Sequence, residues 1–341
     1  MRALTQLSRR SRDLLGGAAR RNTRLMVPSA ATATLRRWSA ALLLPVVLLA
    51  ACSDSEFAEP FAADRVVAFG DEFSVITADG RKYNVNDFTD GNLDCAKNPI
   101  WLQDVAAIYA KPLPECVAAG GSAPSLSRAQ PGATVDGLRQ QVDAHFVADR
   151  FAEKDLVTMF VGLHDILDAY ATYDTDGETA ITERVSAAGK LLGTQVNRVA
   201  QAGSPVLVVT IPDVGRAPYG TAQEAANPGR AALLGRLTSA FNTSMRLEIV
   251  NDGRQIGLVD AFDLFGAMSR FPGNYGVVNT TQASCLDTAP LPDCSTLTLV
   301  QNEGAPVNPA LYLWADALHF GPTGHRYLGI VATSRARNNP F

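Results

Sequence analysis

Val66-Val67-Ala68-Phe69-Gly70-Asp71-Glu72-Phe73-Ser74 runs from a wholly apolar stretch straight into a Gly-Asp turn. Four apolar residues without polar alternation read as a strand buried on both faces. The glycine after them permits a sharp turn, so Glu72 and Ser74 stand at the strand's carboxyl end. Three later stretches repeat the apolar pattern, at residues 156–161, 206–211 and 256–259. Helical spacing predicts helices over 100–110, 135–151, 181–202, 230–250 and 323–336. Gly203 and Pro205 end the third of these, and Pro228-Gly229 precede the fourth. Such alternation implies an α/β fold, a three-layer α/β/α sandwich around a central parallel sheet. A sheet of this kind places its site at the carboxyl ends of its strands. Glu72 follows the first strand and His164 the second, while Asp316 and His319 sit in a late loop.

The amino-terminal region has a different character. Residues 1–51 hold nine arginines and one acidic residue, then an apolar run from Ala40 to Ala51. That run is shorter than the ~20 residues a spanning helix needs. A basic region, a short apolar core and small residues before a cleavage point describe a signal peptide. Leu49-Ala50-Ala51-Cys52 resembles the bacterial lipobox, which makes Cys52 the lipidated first residue of the mature chain. Met26 is an alternative start. Residues 52–64 are small, polar and acidic, as a tether is, and residues 65–341 form the folded domain. Ser53 lacks the aspartate that retains Gram-negative lipoproteins at the inner membrane. The expected location is therefore the bacterial envelope, lipid-anchored at the outer membrane and facing the periplasm.

Of the chain's 30 basic and 34 acidic residues, 21 and 33 lie beyond residue 51, a net charge near −12. Nucleic-acid binding rests on neutralising phosphates and is disfavoured. Four further cysteines, Cys95, Cys116, Cys285 and Cys294, form an even set suited to an oxidising compartment. The sequence-local pairing is Cys95–Cys116 and Cys285–Cys294. Metal ligation is the alternative, without CxxC spacing to support it, and sequence alone leaves the connectivity open.

From Val66 to Leu328 the chain resembles the SGNH/GDSL hydrolase family of esterases, lipases and acyl-transfer enzymes. Phe69-Gly70-Asp71-Glu72 stands where that family has Gly-Asp-Ser. Ala118-Ala119-Gly120-Gly121-Ser122-Ala123 is similar to the second block, whose glycine supplies a backbone oxyanion donor. Gly162-Leu163-His164-Asp165 corresponds to Gly-x-Asn-Asp, whose Asn is the side-chain donor. Ile211-Pro212-Asp213-Val214-Gly215 is a further family-like stretch. Asp316-Ala317-Leu318-His319 matches Asp-x-x-His, followed by Gly321-Pro322-Thr323-Gly324-His325. The resemblance implies hydrolysis of carboxylic esters on lipids or envelope glycans, with no cofactor. Asp316 and His319 would be orienter and base, and Gly120, Gly121 and His164 would form the oxyanion and substrate side.

Two departures fall on the chemistry: Glu72 holds the nucleophile position and His164 the side-chain donor position. Four readings follow. The chain is a non-catalytic binding or scaffold lipoprotein; or Ser74 acts as a displaced nucleophile, with Ser122 more remote. Alternatively Glu72, His164 and His319 form a two-histidine, one-carboxylate metal site; or Glu72 is a general base toward water. His145 and His325 lie in helical patterns and are assigned structural roles, and Asp165 is a candidate helix cap.

Overall fold

The structure is a computed structural model that describes residues 61–250 and 253–338. The expected signal peptide, Cys52 and most of the tether lie outside the described residues. Five strands form the central sheet: β1 Arg65–Gly70, β2 Leu126–Ser127, β3 Asp155–Phe160, β4 Val206–Val209 and β5 Ile256–Val259. Their order across the sheet is β2-β1-β3-β4-β5 and every pairing is parallel. β3 and β4 are buried at every residue, the consequence of having apolar side chains on both faces.

The helices that cover the sheet are α1 Trp101–Ala107, α2 Val135–Ala148, α3 Leu163–Ala171, α4 Tyr173–Gln201, α5 Pro218–Ala226, α6 Arg230–Glu248, α7 Ala261–Arg270 and α8 Pro322–Asn338. One group packs α1 and α7 on α8; the other joins α2, α3, α5 and α6 through α4 and α6. This is the expected α/β sandwich with a central parallel sheet. Local boundaries differ from the periodicity reading for physical reasons. α4 begins eight residues before 181 and carries a non-helical break at Gly177 (φ 78°, ψ 163°), which interrupts the amphipathic pattern. β4 ends at Val209, because the amide of Ile211 turns to the Asn242 side chain (2.9 Å) instead of a strand partner.

Chain order places the reversal of the sheet between β1 and β3, the switch point at which such sheets open a crevice. Two glycines make the turns there. Gly70 sits at φ 140°, and a Cβ on it would run into the Phe160 carbonyl. Gly162 sits at φ 131°, with the Phe241 ring where a Cβ would be. Gln141 of α2 clamps Gly70 by accepting from its N–H and donating to its carbonyl, both at 2.9 Å.

Beyond α7, a small parallel pair joins β6 Asn279–Ala283 to β7 Tyr312–Trp314. Cys285–Cys294 closes the loop after β6, and Cys95–Cys116 closes the segment flanking α1, both as the local pairing predicts. The first disulfide belongs to a satellite core with Val85, Leu299 and Ala315. Amides of Ser284 and Cys285 bond the carbonyls of Trp314 and Ala315 (3.1 and 2.8 Å), anchoring the chain immediately before Asp316.

Gly70→Ala must displace the Phe160 carbonyl and hold a rare backbone conformation. It should cost at least about 1–3 kcal/mol, seen as a lower urea midpoint. An unchanged midpoint would contradict the close packing of β1 against β3 at this turn.

Candidate active site

Asp71 caps the short 3-10 turn Glu72–Ser74, its Oδ1 accepting from the Phe73 amide at 3.3 Å. Its amide continues the β1–β3 ladder onto the Phe160 carbonyl (3.1 Å). The turn points Glu72 into a cluster drawn from three other segments. Glu72 Oε1 accepts from His164 Nε2 at 2.8 Å and from His319 Nε2 at 2.9 Å. Glu72 Oε2 accepts the backbone N–H of Gly132 at 2.9 Å. Asp316 faces the opposite nitrogen of His319, with Nδ1 at 2.8 and 2.9 Å from its two oxygens. Asp316 is held by the amides of Leu318 and His319 (2.8 and 2.7 Å).

Both nitrogens of His319 therefore face carboxylate oxygens, which only accept, so both carry hydrogen and the ring is an imidazolium. Burial alone would lower its pKa, but the bonds and charges of Asp316 and Glu72 raise it to about 10. Burial likewise pushes Glu72 up, yet the hydrogen bonds and charges of His164 and His319 hold its pKa far below the usual carboxylate range. His164 is raised, chiefly by its bond to Glu72. Burial would raise Asp316, but the bond and charge of His319 draw it down. Asp71 goes the other way: burial first, and the neighbouring Glu72 charge second, push it well above the carboxylate range. Its Oδ2 is buried without a partner, as suits a neutral carboxyl beside an anion.

Of the residues expected in the site, Glu72, His164, Asp316 and His319 meet. Ser74 does not join them: it is fully buried, and its Oγ bonds nothing. Gly120 and Gly121 lie exposed in the turn after Cys116, as does Ser122, and give no hydrogen bond to Glu72. The backbone donor at the cluster is Gly132, which the sequence reading missed. Its signal was positional. β2 pairs with β1 at Val67–Leu126 and Ala68–Ser127, and Gln130 then donates to the Gly70 carbonyl (3.0 Å). That path carries Pro131-Gly132 to the carboxyl end of β1. A two-residue strand is too short to register as periodicity.

The three residues of the metal reading do meet, with both imidazoles at hydrogen-bond length from one oxygen of Glu72. Among the described residues no three His, Cys, Asp or Glu are arranged to hold a metal ion. Asp165 accepts from the Val135 amide (2.9 Å) and so caps α2 rather than its own helix; burial raises its pKa to about 6. His145 is buried against Phe69 and Phe151. His325 is buried between the Trp101 amide and the Tyr83 carbonyl, and burial lowers its pKa to about 3.

The cluster predicts a pH signature. His319 is raised above its ordinary 6.5 to about 10, so its stabilisation is complete below 6.5, declines above it and is lost beyond 10. Glu72 is lowered from 4.5, so its contribution is present above 4.5 and is lost as pH falls. Urea midpoints should therefore be highest between these limits. NMR should show His319 protonated through neutral pH, and Glu72→Gln should bring its titration down toward neutrality. A His319 that titrates near 6.5 in the parent would contradict the ion cluster.

The chain is similar in fold to a lipolytic protein of the G-D-S-L family from Veillonella parvula, at 12% identity and a TM-score of 0.40 over 79% of this chain and 96% of that one. A goat rumen metagenome lipase gives 12% and 0.46 over 80% and 97%. An acetyl xylan esterase gives 12% and 0.43 over 79% and 98%. No curated protein sequence matches the chain. The profile of the GDSL-like lipase/acylhydrolase family matches residues 66–330, and the chain belongs to that family.

Proposed function

We propose that this chain is a cell-envelope lipoprotein whose hydrolase-family pocket holds the acyl group of a carboxylic ester without serine-mediated turnover. One observation carries the reading: Glu72 fills the nucleophile position and its Oε1 occupies His319 Nε2. That nitrogen is the atom that would take a serine's proton in acyl transfer. A carboxylate attacking an ester carbonyl would form an anhydride, and its charge would oppose the developing oxyanion. As a base toward water Glu72 is weak, because the two imidazoles hold its proton affinity down. Ser74 Oγ is buried and makes no hydrogen bond, to His319 or to any other group.

What the family relation carries over is the pocket. A narrow apolar cleft lined by Phe73, Leu163, Ile211, Pro212, Leu318 and Phe320 runs beside the cluster, with chain neighbours of Glu72, His164 and His319 among its walls. Its apolar walls match the chemistry of an acyl chain, which envelope lipids and acylated glycans bear, and because the cleft is closed to about 10 Å³, room for a single water, seating such a chain requires it to open. The lipobox-like Leu49-Ala50-Ala51-Cys52 supports anchorage at the outer membrane, facing the periplasm.

The purified protein should stay at background on short-chain nitrophenyl esters and escape labelling by a serine-directed fluorophosphonate. Glu72→Ser should gain both, with a rate at least ~100-fold above the parent, as restored acid–base assistance supplies. Labelling of the parent at Ser74 would overturn this reading in favour of the displaced nucleophile. For the anchor, Cys52→Ser should move the protein into the soluble periplasmic fraction, and unchanged membrane association would refute lipidation at Cys52.

A further inference from the structure

We propose that the open groove between β6 and the hairpin at residues 301–306 is a binding site for an uncharged glycan. The inference concerns a surface apart from Glu72 and holds whether or not the cluster turns over an ester. Residues 284–286 and 298–300 pair antiparallel, with the Val300 amide on the Ser284 carbonyl (2.9 Å) and the Leu286 amide on the Thr298 carbonyl (3.0 Å). On the β6 side of this pairing the two chains part. Gln301–Asn302 pairs with Ala305–Pro306, while β6 pairs with β7. The space left between hairpin and β6 measures about 800 Å³, within the ~300–1,000 Å³ of small-molecule sites.

The lining decides the ligand. No acidic, basic or histidine side chain is among the walls, although charged residues make up 19% of the chain. A phosphorylated, carboxylated or cationic ligand would find no counter-ion there. The walls instead carry the amides of Asn279, Gln282, Gln301, Asn302 and Asn308. Asn279 is used up within the protein. Its Oδ1 accepts from the amides of Thr281 and Gln282 (3.1 and 2.9 Å), and its Nδ2 donates to Gln282 Oε1 (2.6 Å). The others keep capacity. Gln282 has its Nε2 donors free and Asn308 its Nδ2 donors. Among the described residues the Gln301 and Asn302 amides and the Tyr312 hydroxyl bond nothing. An amide sets two donors beside an acceptor, the complement of vicinal hydroxyls. Val278, Pro306 and the Tyr312 ring add apolar surface for the C–H faces of a sugar.

An acyl chain here would cover these amides and leave them unpaired, at a cost for each. A peptide added as a strand needs a free backbone edge. Here the Val300 carbonyl already takes the Val307 amide (3.0 Å), and the Leu311 carbonyl takes that of Val278 (2.8 Å). The walls are also preformed. The hairpin turns through Glu303 and Gly304 at positive φ (52° and 81°), the two-residue geometry that matches strand twist. Asn308 Oδ1 caps the 3-10 turn Pro309–Leu311 through the Ala310 amide (3.0 Å). Tyr312 stands four residues before Asp316, so at most ~14 Å of extended chain separates groove and cluster. Of the two acyl carriers named for the cluster this favours the glycan, a step that alone rests on the acyl-pocket reading.

The test titrates the full-length protein with neutral tetrasaccharides of glucose, xylose and N-acetylglucosamine, followed by NMR of side-chain amides. At millimolar concentration at least one should shift the NH2 signals of Gln282, Gln301, Asn302 and Asn308, and leave those of the buried Asn242 in place. Gln301→Ala combined with Asn302→Ala, both exposed, should weaken binding about tenfold, as loss of a hydrogen bond from each predicts. No shift with any of the three sugars would overturn the proposal, as would shifts confined to other residues. So would an unaltered affinity in the double variant, or tighter binding of a sulfated tetrasaccharide or an uncharged extended peptide. The three sugars carry no ester-linked acyl chain, so failure of the ester reading at Glu72 leaves this result untouched. The titration requires no variant, so a folding defect in the double substitution leaves the proposal open to refutation.

Discussion

The site depends on one buried carboxylate shared by two imidazoles. An ionised group removed from water is costly unless paired and hydrogen-bonded. Glu72 meets that requirement with His164, His319 and the Gly132 amide, and the consequences spread outward. His319 is fixed as an imidazolium between two anions. Asp316 stays ionised with it, while Asp71 next to Glu72 is pushed toward the neutral form. A neutral serine hydroxyl in the same place would leave His319 free to accept a proton. The exchange of one side chain therefore alters the protonation of the whole group, although the Asp316–His319 pair keeps its geometry.

The scaffold delivers these groups from four separate segments to one point. β1 and β3 supply Glu72 and His164 through turns that only a residue without Cβ accommodates. An aromatic stack ties this side to the late loop: Phe73 lies against Phe160 (4.8 Å) and Phe320 (4.6 Å), and its ring also contacts His319 (5.1 Å). Contacts of this type are worth about 0.5–1.5 kcal/mol each beyond burial. On the far side, the β6–β7 pair and the Cys285–Cys294 loop hold the chain that enters Asp316. The positions of acid and base thus rest on packing distant in sequence.

Long, strongly patterned elements were legible beforehand. Four apolar strands and five helices announced a parallel sheet, because burial on both faces leaves a run without polar alternation. α3, α5 and α7 were not read, being nine or ten residues long and placed directly after strands or turns. β2 escaped because two residues carry no period. The same omission explains why the Gly132 amide beside Glu72 was not read. Gly120 and Gly121 match a motif, whereas Gly132 is positioned by pairing with β1, which no local pattern records.

By itself the sequence determined the class of fold, the family blocks and the identities that make this site unusual, Glu72 and His164 above all. Those are properties of composition and spacing along the chain. Only the tertiary structure decided that both imidazoles meet one oxygen of Glu72, that Gly132 holds the other, and that Ser74 is sealed away. Contact between residues as much as 247 positions apart, as between Glu72 and His319, is set by sheet order and core packing. The charge state of the site follows from those distances, because pairing in a poorly solvated crevice, and not residue type, determines which groups keep their protons.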